Sequence, residues 1–200
     1  MPLTLKNFYR TSRLPDGYQE VEYIWVSWQS WQYISTWVAV KNWLEFDLQI
    51  KQNTAYTNNV AIFWNLRSAS AIFLYVYQSH YRLHYGWSTI DWSSISNDKI
   101  TINVKPDSLT IDWVTTSVTH WSTFNSWYMN IWRANWWDPT NLQWMFDLYS
   151  MQIKDNWTLV RDFVPCYRKQ DTVIWLYDLV NDQFYTNAGS WTFTKWPDAN

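Results

Sequence analysis

The sequence predicts an all-β protein whose strands form an antiparallel two-sheet jelly-roll sandwich. Residues 44–51 alternate strictly between apolar and polar side chains, the pattern of a strand with one face on a core and one face in water. Short segments of similar character recur along the chain, separated by turn-forming residues. No segment carries a capped apolar period of 3.6 residues, so helices are expected to be confined to a turn or two.

The predicted strands are short and closely spaced. In chain order they are residues 18–24, 44–51, 60–63, 71–77, 81–85, 100–105, 109–111, 114–119, 128–131, 146–154, 159–164, 173–177 and 184–185. One sheet of this many strands would leave a face and two edges uncovered, so two packed sheets are expected. We expect residues 1–12 to be an N-terminal lead-in and residues 13–200 to be one domain.

Length, charge and composition exclude several classes of protein. A chain of 200 residues can bury a core of its own. A net charge of -2, without any basic run, argues against a nucleic-acid partner. Cys166 is the only cysteine, so no intrachain disulfide can form. No secretion signal is seen at the N-terminus, and the longest apolar run, residues 71–77, is too short to span a bilayer, so membrane insertion is not expected.

Tryptophan stands where tight turns require glycine. The sequence has 19 tryptophans and 3 glycines. Asp112-Trp113 lies between two alternating runs, where a type I′ turn with Asp-Gly would need positive φ at both central residues. A bulky side chain resists that conformation by about 1–2 kcal/mol. Trp43, Trp92, Trp113, Trp136 and Trp157 directly follow Asn or Asp, and Trp28, Trp31, Trp127 and Trp191 follow Ser.

Two explanations of these tryptophans are open. They are aromatic residues that decorate loops as a sugar- or protein-binding surface, although so many indoles would expose more apolar area than soluble monomers tolerate. Alternatively, many of them are glycine in the native protein. Some bacterial lineages and their phages read the UGA codon as glycine, whereas the common alternative table reads it as tryptophan. UGG codons at Trp113, Trp157 and Trp175 would contradict this second explanation.

Both ends of the chain carry motifs of a known family. LPDGYQEVEYI begins at Leu14 and is followed by WQYISTWV, and the chain closes with LVRDFVPCYRKQDTVIWLYDLVNDQFYTNAGSWTFTKWPD. These stretches resemble lectin-like proteins of the concanavalin A-like or laminin G-like jelly-roll superfamily, which are common in gut bacteria and their phages. The resemblance spans residues 14–198. The match improves each time that glycine replaces one of the tryptophans at Trp31, Trp37, Trp175, Trp191 and Trp196.

The resemblance implies a non-enzymatic lectin-like module for glycan recognition or adhesion. Such a module is expected in a phage virion, as a tail, fibre or decoration protein, or outside a bacterial cell on its surface. Its partners would be glycans or virion and cell-surface proteins, and self-association is left open. One alternative is a purely structural protein that binds other virion proteins. Another is a glycoside hydrolase of the same architecture.

The hydrolase alternative depends on paired carboxylates. Related glucanases place them in an E-x-D-x-x-E motif on one strand, as nucleophile and acid/base. Alternation places Glu45 and Asp47 on one face, but Ile50 stands where the second glutamate is needed. The motif is therefore incomplete, and we do not expect an enzyme.

Four tyrosines are the candidate glycan-binding residues. Tyr75, Tyr77, Tyr81 and Tyr85 lie on two adjacent predicted strands, where an aromatic group can stack on sugar rings. Packing in the core or across the strands is the competing interpretation.

Metal ligation has weak support. His80 and His84 fall on one face of a strand rather than at helical zinc-binding spacing, and we expect them to be exposed. No cofactor is expected, and calcium is left open. Asn135, Asp138 and Asn141 share one loop and are weak candidates for it, since turns also collect such residues.

The charged residues of the closing motif are expected to be structural. They are Asp162, Arg168, Lys169, Asp171 and Asp178, and they alternate with apolar residues. We expect them to tie the last strands together with polar contacts.

Overall fold

The computed structural model describes residues 13–25, 33–52, 60–65, 72–86, 88–119, 124, 128–131, 146–189, 193–195 and 197–199. Across these ranges the chain contains strands and turns and no helix. The strands are β1 (Tyr18–Glu20), β2 (Ile24–Trp25), β3 (Ile34–Ala39), β4 (Leu44–Gln52), β5 (Val60–Trp64), β6 (Ile72–Tyr77), β7 (His80–Tyr85), β8 (Ser88–Ser94), β9 (Lys99–Val104), β10 (Ser108–Ile111), β11 (Val114–Ser117), β12 (Tyr128–Ile131), β13 (Phe146–Asp155), β14 (Thr158–Arg168), β15 (Ile174–Asp178), β16 (Gln183–Tyr185) and β17 (Thr194–Lys195).

The strands form two antiparallel sheets, which confirms the predicted all-β, two-sheet sandwich, while the jelly-roll connectivity stays a prediction. The larger sheet has the order β11-β10-β9-β4-β13-β14-β15-β16, with β1 paired to β14 and β2 paired to both β13 and β17. The smaller sheet has the order β3-β12-β5-β6-β7-β8. Hairpins between consecutive strands alternate with pairings of strands far apart in sequence, such as β4 with β13 and β3 with β12, so the fold also depends on long-range pairing.

The core lies between the two sheets and follows from the alternation of their strands. In β4, Phe46, Leu48 and Ile50 are buried, and Phe46 stacks on Phe63 of β5 with 4.7 Å between the ring centroids. Because β4 belongs to the larger sheet and β5 to the smaller, this contact joins the two layers. Burial of each such side chain contributes about 1.5–3 kcal/mol.

Three strands are not predicted by alternation. They are β3, β8 and β17, and β8 is polar at most positions because it lies at the edge of its sheet. The predicted strand 18–24 is also interrupted. Val21 forms an isolated bridge with Asp198, and its N–H donates to Pro165 O, so the chain leaves β1 before it enters β2.

Among the described residues, two tryptophans occupy left-handed backbone positions. Asn156 and Trp157 form the two-residue turn between β13 and β14, with φ of 49° and 63°, as a type I′ turn requires. Trp37 has φ of 55° inside β3, next to the irregular pairing of β3 with β12. These are backbone conformations that favour glycine.

The turn at Asp112-Trp113 differs from the prediction. Asp112 has φ of 40°, but Trp113 is not among the described residues with positive φ. Asp112 is held by Thr101, since its N–H donates to Thr101 O at 2.8 Å and its Oδ1 accepts from Thr101 N at 2.9 Å. The single left-handed residue is therefore an aspartate, which tolerates that conformation better than most side chains.

Replacement of Trp157 by glycine is expected to raise the free energy of unfolding by about 0.5–1 kcal/mol. Glycine relieves the steric cost at φ 63°, and an indole that is 75% exposed contributes little packing. Urea denaturation measures the change. Trp113→Gly is the matched control, because that indole is 97% exposed but its backbone is not left-handed. The control should give no gain, and an equal gain in both variants would contradict the backbone argument.

Candidate functional site

The turn between β6 and β7 decides which side chains face outward from the smaller sheet. Gln78 and Ser79, with φ of 47° and 66°, connect the strands and pair Tyr77 with His80. Odd-numbered residues of β6 therefore lie beside even-numbered residues of β7. This register makes Phe73 the cross-strand partner of His84.

The four predicted tyrosines are divided between two faces. Tyr75 and Tyr77 are partly exposed on the outer face, whereas Tyr81 and Tyr85 are 1% and 0% exposed in the core. Tyr85 donates its hydroxyl to Leu44 O at 3.2 Å. The expectation of one aromatic group is thus wrong for Tyr81 and Tyr85. The two-residue turn places the odd-numbered residues of β6 on the outer face and the odd-numbered residues of β7 on the core face.

An aromatic row crosses the outer face of the smaller sheet. Its members are successive cross-strand partners, Ser35, Asn130, Trp64, Phe73, His84 and Thr89. The ring of Phe73 stacks on Trp64 at 4.0 Å and on His84 at 4.1 Å between centroids. Because Trp64, Phe73 and His84 cover one another's faces, these three rings present their edges to solvent.

His84 is hydrogen-bonded through both ring nitrogens. The Tyr75 hydroxyl lies 3.2 Å from Nε2, and Thr89 Oγ1 lies 3.1 Å from Nδ1. Burial, reinforced by the nearby Arg82 guanidinium, lowers the pKa of His84 to about 4. The imidazole is therefore neutral at neutral pH and is only partly exposed, whereas His80 is exposed as predicted.

A polar row lies beside the aromatic row. It consists of the cross-strand partners Tyr75, Arg82 and Asp91. Arg82 donates to Asp91 through Nε and through Nη2, the latter at 2.6 Å from Oδ2. This hydrogen bond lowers the pKa of Asp91 and raises that of Arg82. The guanidinium also covers the Tyr77 ring at 4.1 Å.

We call the combined surface the outer platform, defined by Phe73, Tyr75, Tyr77, Arg82, His84 and Asp91. A bidentate guanidinium–carboxylate pair fixes several donors and acceptors in one plane. Flanking hydroxyl, imidazole and aromatic groups complete a surface suited to a ligand with many hydroxyls and some apolar faces. Of these six residues, sequence reasoning found only Tyr75 and Tyr77. The signal for the others is the two-residue turn at 78–79, which sets the register.

The two carboxylates of the incomplete motif, Glu45 and Asp47, differ in burial and in partners. Asp47 accepts a hydrogen bond from Lys154 Nζ at 2.6 Å and another from Asn103 Nδ2. Glu45 is nearly buried, and Ile50 points into the core from the opposite face of β4. Asp47 is thus neutralised by a structural ion pair.

A second polar cluster occupies the outer face of the larger sheet and was not predicted. Burial raises the pKa of Asp147 to about 6, Lys51 opposes that rise and Glu22 adds to it. Lys99 Nζ lies 4.1 Å from the centroid of Tyr149. The cluster mixes charges of both signs, and each partner lies in an adjacent strand or segment, as in cross-strand packing.

A cleft of about 600 Å³ lies between the edge strands β3 and β16. Trp37 and Trp175 form part of its lining, together with Ser35, Asp182, Gln183 and Thr186. Trp37 has a left-handed backbone, and the buried indole N–H of Trp175 has no acceptor among the described residues. The shape of this cleft therefore depends on two side chains whose identity is in question.

Asp178 ties the closing motif together. It is fully buried, and its Oδ1 accepts from the N–H groups of Asp162 at 3.0 Å and Val180 at 3.1 Å. Its Oδ2 accepts from Asn181 Nδ2 at 2.6 Å and lies 3.5 Å from Arg161 Nε. Together these contacts give the carboxylate a structural role.

Other candidates lie partly beyond the described ranges. Asn135, Asp138 and Asn141 fall outside them, so the calcium candidates stay a prediction. Within the described ranges, no three His, Cys, Asp or Glu side chains group closely enough to hold a metal ion. The described residues also include no helix with the length and apolar character needed to cross a membrane.

Comparison with models of known protein families finds none that matches the chain, and comparison with curated proteins finds no match either. The lectin-like interpretation therefore rests on the motifs and on the outer platform.

Replacement of Asp178 by alanine is expected to lower the free energy of unfolding by about 2–4 kcal/mol, because it removes the buried acceptor of two backbone N–H groups and the counter-charge of the partly buried Arg161 guanidinium. Chemical denaturation measures the loss. Asp171→Ala is the control, since that carboxylate pairs with Arg168 at the surface. It should cost far less. Similar losses of stability in the two variants, or a native-like stability of Asp178→Ala, would contradict this prediction. The hydrogen bonds of Asp178 would then not be a main source of stability for these strands.

Stability is expected to depend on the protonation of His84. A folded pKa of about 4 lies below the unfolded value of 6.5, so its contribution is complete above pH 6.5 and is lost as the pH falls through 4. After solvent screening the loss is about 1–2 kcal/mol. Urea denaturation of the wild type and of His84→Phe between pH 7 and 4 isolates it, since the variant lacks the titrating group. Parallel pH profiles, or an NMR titration of His84 near 6.5, would contradict the assignment.

Proposed function

We propose that this domain is a non-enzymatic lectin-like module that binds glycans at its outer platform. The observation that carries the proposal is the polar row, in which a fixed Arg82–Asp91 pair lies beside the Tyr75 hydroxyl on the outer face of a sheet. Sugar rings offer neighbouring hydroxyls that exchange hydrogen bonds with such a pair. Phe73 and Tyr77 flank the pair, and the parts of their rings that neighbours leave uncovered supply apolar contact.

The resemblance of the two end motifs to lectin-like proteins supports the same proposal. It also supports a location in a phage virion or on a bacterial surface, where a glycan-binding module serves adhesion. The buried Ile50, which stands where the motif needs its second glutamate, favours binding over hydrolysis, because glycosidases use a pair of carboxyl groups.

A glycan array probed with the purified domain tests the proposal, and titration calorimetry with the strongest ligand measures its affinity. Asp91→Ala is expected to weaken binding at least tenfold, because it removes a charge-assisted acceptor and frees the guanidinium. Tyr77→Ala is expected to weaken it as well, since the ring supports Arg82.

Tyr149→Ala is the matched control, an aromatic residue on the outer face of the larger sheet. It should leave the affinity unchanged. A folded domain that binds no glycan, or one whose affinity survives Asp91→Ala, would overturn the proposal. Copurification with virion proteins in the absence of glycan binding would instead favour the structural alternative.

A further inference from the structure

The indole of Trp64 is poorly accommodated in the aromatic row. Its Nε1 is buried and has no hydrogen-bond acceptor among the described residues. A buried donor without an acceptor costs about 1–3 kcal/mol. Trp175 has the same defect, and position 175 is one where glycine improves the match to the closing motif. An orphaned indole N–H thus marks two tryptophans that turn chemistry alone does not identify.

A β-bulge lies two residues before Trp64. The pairing of β5 with β6 shifts by one residue between Ala61, which opposes Tyr75, and Phe63, which opposes Leu74. Glycine within a strand often marks such a bulge, or a place where a ligand approaches the backbone closely.

We propose that residue 64 is glycine in the native protein, and that the space filled by its indole is a slot for one neutral pyranose ring. This inference rests on glycan binding at the outer platform and names the ligand class of its central part. The slot extends from β6 across β5 to β12, two strand spacings or roughly 9.5 Å. With glycine at position 64, no side chain fills the space above β5 between β6 and β12.

Phe73 forms the apolar wall of the slot. Its ring stacks on the indole at 4.0 Å, and its opposite face stays covered by His84 at 4.1 Å. Loss of the indole therefore exposes one face of the Phe73 ring, while His84 still packs against the other face. The apolar face of a sugar ring makes carbon contacts at a similar distance.

Asn130 forms the polar wall. It is the cross-strand partner of Trp64 on β12, it is 8% exposed, and its Nδ2 lies 3.5 Å from Tyr128 O, a long contact for a hydrogen bond. Ser35 follows it in the row. Without the indole, the amide and hydroxyl groups can exchange hydrogen bonds with ring hydroxyls, and neither wall carries a charge.

The test compares the chain containing Trp64 with Trp64→Gly. Methyl glycosides of glucose, galactose, mannose and N-acetylglucosamine serve as probes in saturation-transfer NMR and titration. Trp64→Gly is expected to bind at least one probe ten times more tightly than the chain with Trp64. Phe73→Ala in the Trp64→Gly background should abolish that gain. Trp157→Gly is the matched control, since it makes the same change far from the slot and should gain nothing.

Trp64→Ala replaces Trp64→Gly if the latter does not fold, because it empties the slot and keeps a side chain in the strand. If the chain with Trp64 and the variant without the indole bind every probe with equal affinity, the proposal of a slot is contradicted. Tryptophan at position 64 in peptide mass spectra of protein from its native host would overturn it too. If both forms bind an array glycan equally and lose it with Asp91→Ala, glycan recognition stands and only the slot fails. If neither form binds any glycan, both proposals fail.

Discussion

A two-residue hairpin turn fixes the pairing register of the two strands that it joins, because both central residues must take left-handed backbone angles. Gln78 and Ser79 pair Tyr77 with His80 in this way, and a slip of one residue there would exchange the outer platform with the core. Asn156 and Trp157 impose the same constraint on the hairpin of the two longest strands. The buried core and the exposed site are therefore two consequences of one backbone requirement.

The same constraint explains which features were predictable from the sequence. Alternation predicts β4 almost to its ends, because one face of that strand is buried along its length. It does not predict β8, a largely polar edge strand, and it does not relate one strand to the next. Tyr75 and Tyr81 look equivalent in sequence, yet the turn between them sends one outward and one into the core. The partners Arg82 and Asp91 likewise meet only through strand pairing.

Two unrelated kinds of strain affect described tryptophans, and each also occurs at other residues, such as the left-handed Asn156 and the buried Tyr81 hydroxyl. Trp37 and Trp157 have backbone angles that a side chain disfavours, whereas Trp64 and Trp175 bury an indole N–H without an acceptor among the described residues. Steric cost in the backbone and lost hydrogen bonding in the side chain have no common physical origin. A single substitution, glycine for tryptophan, relieves both. Trp113 shows neither strain, so a solvent-exposed turn by itself is weaker evidence for glycine than a left-handed backbone angle or an orphaned donor.

The charge balance of the outer platform limits how it can discriminate between ligands. The Arg82–Asp91 pair carries no net charge, and His84 is neutral at neutral pH because burial lowers its pKa to about 4. Long-range attraction of a charged ligand is therefore weak at this pair, and the direction of each hydrogen bond matters more than total charge. An acidic sugar placed over Asp91 would be repelled, and Arg82 is already engaged. On the proposal that the outer platform binds glycans, a charge-compensated surface of this kind would select by the arrangement of hydroxyls, which is how neutral sugars differ from one another.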